Sequence, residues 1–143
     1  MYRTTVKADG GRNGRVKRED GILNFTIKIP KEMGGPGGQH TNPEQLFAAG
    51  YAACFDSALQ LMILKEGLKQ KESSVEATVG LNRNGLEFDL SVKLRVAIKN
   101  VDLETARRLA GLAHATCPYS KATKGNIPVE IEIVEPTLEI RNN

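Results

Sequence analysis

From Gly38 to Lys65 the chain reads GQHTNPEQLFAAGYAACFDSALQLMILK, and this stretch constrains the fold more than any other. Asn42 is a candidate N-cap, Pro43 suits the first helical position, and Gln45 stands three residues beyond Asn42, completing a capping-box pattern. After Glu44 no charge occurs until Asp56, and none again until Lys65. A helix this apolar is expected to be enclosed rather than laid on a surface. Ala48, Ala49, Gly50, Ala52 and Ala53 let other backbone approach it closely. Cys54 sits in its middle, so the fold is expected to enclose this helix and to control what reaches that thiol.

The flanking segments read mostly as strands. Residues 2–8 alternate, with Tyr2, Thr4 and Val6 set against Arg3, Thr5 and Lys7. Gly10-Gly11-Arg12-Asn13-Gly14 is a turn, residues 15–18 form a short second strand, and Asp20-Gly21 is a hairpin signal. Leu23, Phe25, Ile27 and Ile29 then mark a third strand that Pro30 ends. The loop GGPGGQHT, residues 34–41, leads into the central helix, whose end is expected near Glu66-Gly67 with Gly67 as C-cap. Val75–Leu81 alternates, Asn84-Gly85 is a tight turn, and Leu86, Phe88, Leu90, Val92, Leu94, Val96 and Ile98 share one strand face. Asp102 caps a second helix on which Ala106, Ala110, Ala113 and Cys117 lie on one side, and Pro118 stops it. A strand from Val129 to about Val134 follows, with a short edge strand expected at Leu138–Ile140. The fold class is therefore α+β: antiparallel β-meanders packed around a long buried central helix and a second helix. One monomer is small for covering that central helix on all sides, so packing alone predicts a dimer.

At 143 residues one domain, 1–143, is expected. The net charge of +3 is scattered, with no basic run to bind nucleic acid. The start, MYRTTVKADGG, has no apolar h-region, so no signal peptide is expected. Asp56, Ser57 and Gln60 make the central stretch too polar for a membrane span. Two cysteines without an export signal point to the reducing cytoplasm, where a thiol pair is redox-active or simply reduced.

Cys54 has two readings. It is a small apolar side chain of a core helix, or it is a nucleophile, which requires a cation to bring its pKa down from about 8.5. The helix dipole fades within the first turn and cannot supply that charge. Arg12, in its glycine-framed turn, is the candidate cation, and Glu44 could hold its guanidinium with two hydrogen bonds. Glu44 and Cys54 are about 15 Å apart on an ideal helix, so either the helix bends near Gly50 or the Arg–Glu pair comes across a dimer interface. Cys117 is a buried helix residue or the thiol that resolves an oxidised Cys54. His114 is a helix-surface residue or one that orients Cys117. Asp56 and Asp102 read as structural. GGPGG lacks the Lys-Ser/Thr of a phosphate-binding loop, and His40 and His114 lack metal-ligand spacing, so no metal and no cofactor are expected.

HTNPEQLFAAGYAACFDSAL and AHATCPYSKATKGNI strongly resemble the two signature segments of the organic hydroperoxide resistance proteins, a branch of the osmotically-inducible-protein-C-like family, and GGRNG resembles that family's arginine-bearing turn. The resemblance implies a thiol-dependent peroxidase working as an intertwined homodimer. It casts Cys54 as the peroxidatic cysteine, Cys117 as the resolving one, Arg12 as the activator and Glu44 as the acid that positions Arg12. It implies an organic hydroperoxide, alkyl or fatty-acid, as substrate, and a dithiol, typically a lipoyl group on a protein, as reductant. Phe47, Tyr51 and Met62 are then expected to line the substrate site. The competing expectations are a less selective peroxidase of the parent family and a non-catalytic dimer that binds an apolar ligand.

Overall fold

The computed structural model describes residues 1–69 and 71–136; the edge strand expected at Leu138–Ile140 lies outside the described residues. The chain clusters into two compact units, Met1–Leu46 and the part from Phe47 onward.

The first unit is a three-stranded antiparallel meander of β1 (Lys7–Asp9), β2 (Gly14–Lys17) and β3 (Asn24–Ile27). β1 is shorter than the alternation of residues 2–8 predicts. A strand needs a partner, and the four-residue β2 pairs only from Lys7↔Lys17 to Asp9↔Arg15. Arg12 lies in a one-turn 3-10 helix, Gly11–Asn13, entered through Gly10 at φ 79°. β2 and β3 pair from Gly14↔Ile27 to Lys17↔Asn24, so the connection runs over residues 18–23; the Arg18 amide bonds the Leu23 carbonyl across it. An unpredicted 3-10 turn, Lys31–Met33, follows Pro30. Thr41 then forms a parallel bridge with Ile27, which ties the approach to the central helix onto β3.

That helix, α1, runs from Pro43 to Lys65. The Asn42 side chain accepts from the Gln45 amide at 2.9 Å, as an N-cap does. The return half of the capping box differs: the Gln45 side-chain oxygen accepts from the Thr41 hydroxyl at 2.8 Å. At the other end Gly67, at φ 74°, donates to Leu64 and Leu68 donates to Ile63, the paired bonds of a Schellman motif.

The second unit holds the core. β4 (Ser73–Asn84) and β5 (Glu87–Ile98) form a long antiparallel hairpin. Its turn is Gly85-Leu86, one residue later than Asn84-Gly85 suggests, and Leu86 is exposed at the tip. The apolar face of β5 is buried from Val92 to Ile98, while Phe88 remains exposed. α2 (Leu103–Thr116) starts at Asp102, whose carboxylate accepts from the Thr105 amide at 2.8 Å. A short helix absent from the sequence reading, α3 (Pro118–Thr123), follows directly, and β6 (Val129–Ile133) pairs parallel to β5. The all-antiparallel expectation is thus corrected at β6. The two helices carry the chain back along the sheet, so the next strand runs in the direction of β5.

One stripe of α1 (Tyr51, Phe55, Ala58, Leu59, Met62 and Ile63) is buried with Leu94, Val96, Leu109 and Ala113 in a single apolar cluster. Each large side chain buried this way contributes about 1.5–3 kcal/mol, well beyond helix propensity, which spans only about 0.7 kcal/mol for ordinary residues. Burial on every side is not what a single chain provides: Ala49, Ala53, Ser57, Leu61 and Leu64 form an exposed stripe. The expectation that α1 is too polar to span a membrane is also corrected. Its most apolar window has mean hydropathy 1.4, enough by length and composition, with 33% of that window buried inside the chain. The polar positions are diluted by Ala, Leu, Met and Ile, and two of them serve the fold. Gln60 donates to the Lys71 carbonyl and Asp56 accepts from Ser73 Oγ.

Candidate active site

The two cysteines are in contact. Cys54 comes from the middle of α1 and Cys117 from the junction of α2 and α3, and their sulfurs lie 3.5 Å apart. Both are free thiols; Cys54 is half-buried and Cys117 fully buried. Cys54 is therefore the more accessible of the two cysteines. A separation of 3.5 Å is contact without a bond, since a disulfide needs about 2.05 Å.

Local sequence explains how Cys117 reaches this place. Ala106, Ala110 and Ala113 turn small side chains to the core, so α2 packs closely. Pro118 has no amide hydrogen and cannot continue α2, yet its fixed φ suits the first turn of a new helix. Cys117 is left between the two helices at φ −59° and ψ 124°: its amide closes α2 on the Ala113 carbonyl, and its own carbonyl opens α3 by accepting from the Lys121 amide.

The Cys54 thiol is pushed above its ordinary pKa. Burial is the largest cause, since it disfavours the charged form; the neighbouring Cys117 raises the value further, while the backbone N–H of Tyr119 pulls it down. These groups all belong to the second unit.

Arg12 and Glu44 form the other pair, inside the first unit. Arg12 Nη1 donates to Glu44 Oε2 at 2.9 Å and Nη2 to Oε1 at 2.5 Å, a two-pronged bond. Strand register brings them together: Gly14 stands opposite Ile27, Ile27 bridges Thr41, and Glu44 follows three residues on. Lys28 Nζ bonds Asn13 Oδ1 and steadies the turn. The Arg12–Glu44 bond forms within one chain. This hydrogen bond is the chief cause that raises the Arg12 pKa and lowers that of Glu44.

An open groove of about 430 Å³ is walled by Phe47, Leu90, Ala122, Ile127 and, from the two residues that follow Cys117, Pro118 and Tyr119. Of the residues expected at the substrate site, Phe47 is in this wall. Tyr51 is buried with its ring edge-on to Phe47, centroids 6.1 Å apart. Met62 is in the core, its sulfur 4.0 Å from Thr116 Oγ1, and does not line the groove. His114, read as a surface or orienting residue, is half-buried with Nδ1 2.8 Å from Ser120 Oγ. Tyr119 and the rest of α3 went unrecognised in the sequence; Pro118 at a helix start and Gly125 just past its end were the available signal. Among the described residues, no His, Cys, Asp or Glu side chains gather as metal ligands would.

Known proteins share this arrangement of chain. The sequence model of the OsmC-like protein family matches residues 35–132. The organic hydroperoxide resistance protein of Xanthomonas axonopodis pv. citri (strain 306) is 42% identical over 134 residues, covering 93% of this chain and 94% of its own. The organic hydroperoxide resistance protein OhrB of Bacillus subtilis (strain 168) is 44% identical over 137 residues, covering 93% and 98%. Among solved structures, an organic hydroperoxide resistance protein from Elizabethkingia anophelis is similar with a TM-score of 0.88 and 44% identity, over 95% of this chain and 98% of that one. Alike in sequence and in fold over most of its length, the chain belongs to the OsmC-like protein family, beside members named for organic hydroperoxide resistance.

Proposed function

We propose that this protein is a thiol-dependent peroxidase that reduces organic hydroperoxides to alcohols. The observation that carries this reading is the 3.5 Å contact between a half-buried and a fully buried thiol. The Cys54 thiolate attacks the distal oxygen of the hydroperoxide; the O–O bond breaks, and the alkoxide leaves and takes up a proton. Cys54 becomes a sulfenic acid. The Cys117 sulfur displaces its hydroxyl group as water, giving a Cys54–Cys117 disulfide and sparing Cys54 from irreversible oxidation. A dithiol, such as a lipoyl group on a protein, then restores both thiols by exchange. No metal or cofactor takes part.

Arg12, held by Glu44, supplies the positive charge that Cys54 needs, because burial and Cys117 push its pKa the wrong way for catalysis. Phe47 contributes to an apolar seat for the alkyl group, with the Tyr51 ring behind it and Met62 deeper. Burial is worth about 0.8 kcal/mol per CH₂, so longer alkyl hydroperoxides are better substrates than hydrogen peroxide. The working unit is a homodimer that covers the exposed stripe of α1, in the reducing cytoplasm.

The raised Cys54 pKa favours a second reading, a dimer that binds an apolar ligand in the groove with both thiols inert. One experiment separates the two: consumption of an alkyl hydroperoxide with dihydrolipoamide by the wild type, Cys54→Ser and Cys117→Ser. The peroxidase reading expects turnover by the wild type, none by Cys54→Ser, and a single reaction followed by inactivation for Cys117→Ser. Absence of wild-type turnover together with unreactive thiols supports the binding dimer instead.

A further inference from the structure

The junction of α2 and α3 is held by a buried polar network that neither helix needs for itself. Ser120 is 1% exposed, and its hydroxyl lies 2.8 Å from Tyr51 Oη on α1 and 2.8 Å from His114 Nδ1 on α2. Thr123 Oγ1 is 3.2 Å from the same Tyr51 oxygen and donates to the Ser120 carbonyl at 3.1 Å. Hydroxyls enclosed in an apolar core must all be bonded, and losing one partner costs about 1–3 kcal/mol. Apolar side chains would fill the same space without that liability. What the network adds is direction: one oxygen on α3 is tied to two other helices.

Its place gives it a role. Ser120 is three residues, or about one helical turn, beyond Cys117. Cys117 is the non-helical residue of the corner, so rotation about its backbone is the soft coordinate that swings α3 against α2 and shifts both sulfur and chain. The same corner delivers the Tyr119 amide to Cys54. The Tyr119 ring crosses Gly50, where an added Cβ would stand 2.9 Å from Tyr119 Oη. For the disulfide to close, the sulfurs must approach from 3.5 Å to about 2.05 Å. A corner free to swing would lose that alignment.

We propose that Tyr51, Ser120 and His114 are positioning residues for the resolving step. They hold the α2–α3 corner so that Cys117 Sγ stays aimed at Cys54 Sγ. This rests on the peroxidase reading above for the step concerned: the S–O bond of the Cys54 sulfenic acid breaks, the S–S bond to Cys117 forms, and the Cys117 proton leaves with the hydroxyl as water.

The test follows the two steps separately in full-length protein, reading hydroperoxide loss in a single turnover and disulfide formation by acid quench and mass spectrometry. Ser120→Ala is expected to change the first step less than about twofold and to slow closure about tenfold or more, given that misplacement by about 1 Å costs as much as 100-fold. It is also expected to accumulate sulfinic acid at excess hydroperoxide. Ser120→Thr, which keeps the hydroxyl, restores closure. His114→Phe, which keeps a ring but removes the Nδ1 partner of Ser120, shows the same slow closure and serves if Ser120→Ala fails to fold. Closure by Ser120→Ala and His114→Phe at the wild-type rate overturns the proposal, and so does equal slowing of both steps with a lowered Tm. A second arm oxidises the reduced proteins with diamide, which closes the disulfide without peroxide. Slower closure in the variants there supports the corner's role even if hydroperoxide proves not to be the substrate. Wild-type rates there count against it.

Discussion

At the scale of single residues, the proposed chemistry turns on the protonation of Cys54. Burial and Cys117 favour its neutral thiol; their contribution to stability is present below the ordinary thiol pKa and lost as pH rises through the raised one. If Arg12 offsets this, alkylation by iodoacetamide reaches half its maximal rate at a lower pH in the wild type than in Arg12→Gln. The variant's midpoint should lie above the ordinary thiol value of about 8.5. Coincident midpoints would show that Arg12 does not act on Cys54. Glu44 gives the opposite sign. Arg12 holds its carboxyl below the ordinary value, so the pair stabilises the fold at pH above the unfolded carboxyl's pKa and loses that effect as pH falls through the lowered one. With Arg12 about a third exposed, the contribution is at most about 1 kcal/mol. Unfolding free energies of wild type and Glu44→Gln, from urea titrations, should differ by that much at pH 7 and converge in acid as pH falls through the lowered Glu44 value; a gap that persists in acid would mean Glu44 acts through packing. The candidate residues themselves were legible because cysteine chemistry asks for a cation and a cation asks for an acid. The bond lengths and the groove were not, since they depend on strand register and on α3.

At the scale of elements, legibility followed locality. Caps at Asn42 and Asp102 and the alternation of β5 were readable, because side-chain hydrogen bonds to the next turn and burial of one face are set by neighbours in sequence. β1 was over-read, because its length is limited by β2 and not by its own alternation. α3 was missed because six residues are too few for a helical period to declare itself. The direction of β6 is a property of the whole crossover and not of VEIEI. The turn carrying Arg12 gives the sharpest prediction at this scale. A Cβ on Gly14 would stand 1.8 Å from the Asp9 carbonyl oxygen, a backbone atom that cannot rotate away. Gly14→Ala should therefore disrupt the Arg12–Glu44 bond without altering either side chain. It should shift the pH dependence of Cys54 alkylation as Arg12→Gln does, while Gly11→Ala, with nothing within 4 Å of its Cβ site, strains only its own left-handed φ, by about 1–2 kcal/mol. A wild-type alkylation profile in Gly14→Ala would break the link between this turn and the thiol.

At the scale of the molecule, the exposed stripe of α1 joins the architecture to its assembly. Leu61 and Leu64 are 48% and 57% exposed, and the small residues Ala49, Ala53 and Ser57 precede them along the same exposed face. A second copy would cover that stripe, so light scattering should give twice the 15.6 kDa chain mass, and Leu61→Lys should shift the mass toward one chain. A single-chain mass for the wild type would remove the dimer. The central claim concerns the two thiols, and intact mass after one equivalent of alkyl hydroperoxide tests it most directly. Reduced wild-type protein should lose about 2 Da as the Cys54–Cys117 disulfide forms, and Cys117→Ser should gain about 16 Da as its Cys54 stops at the sulfenic acid. Unchanged masses with the hydroperoxide recovered intact would contradict the account.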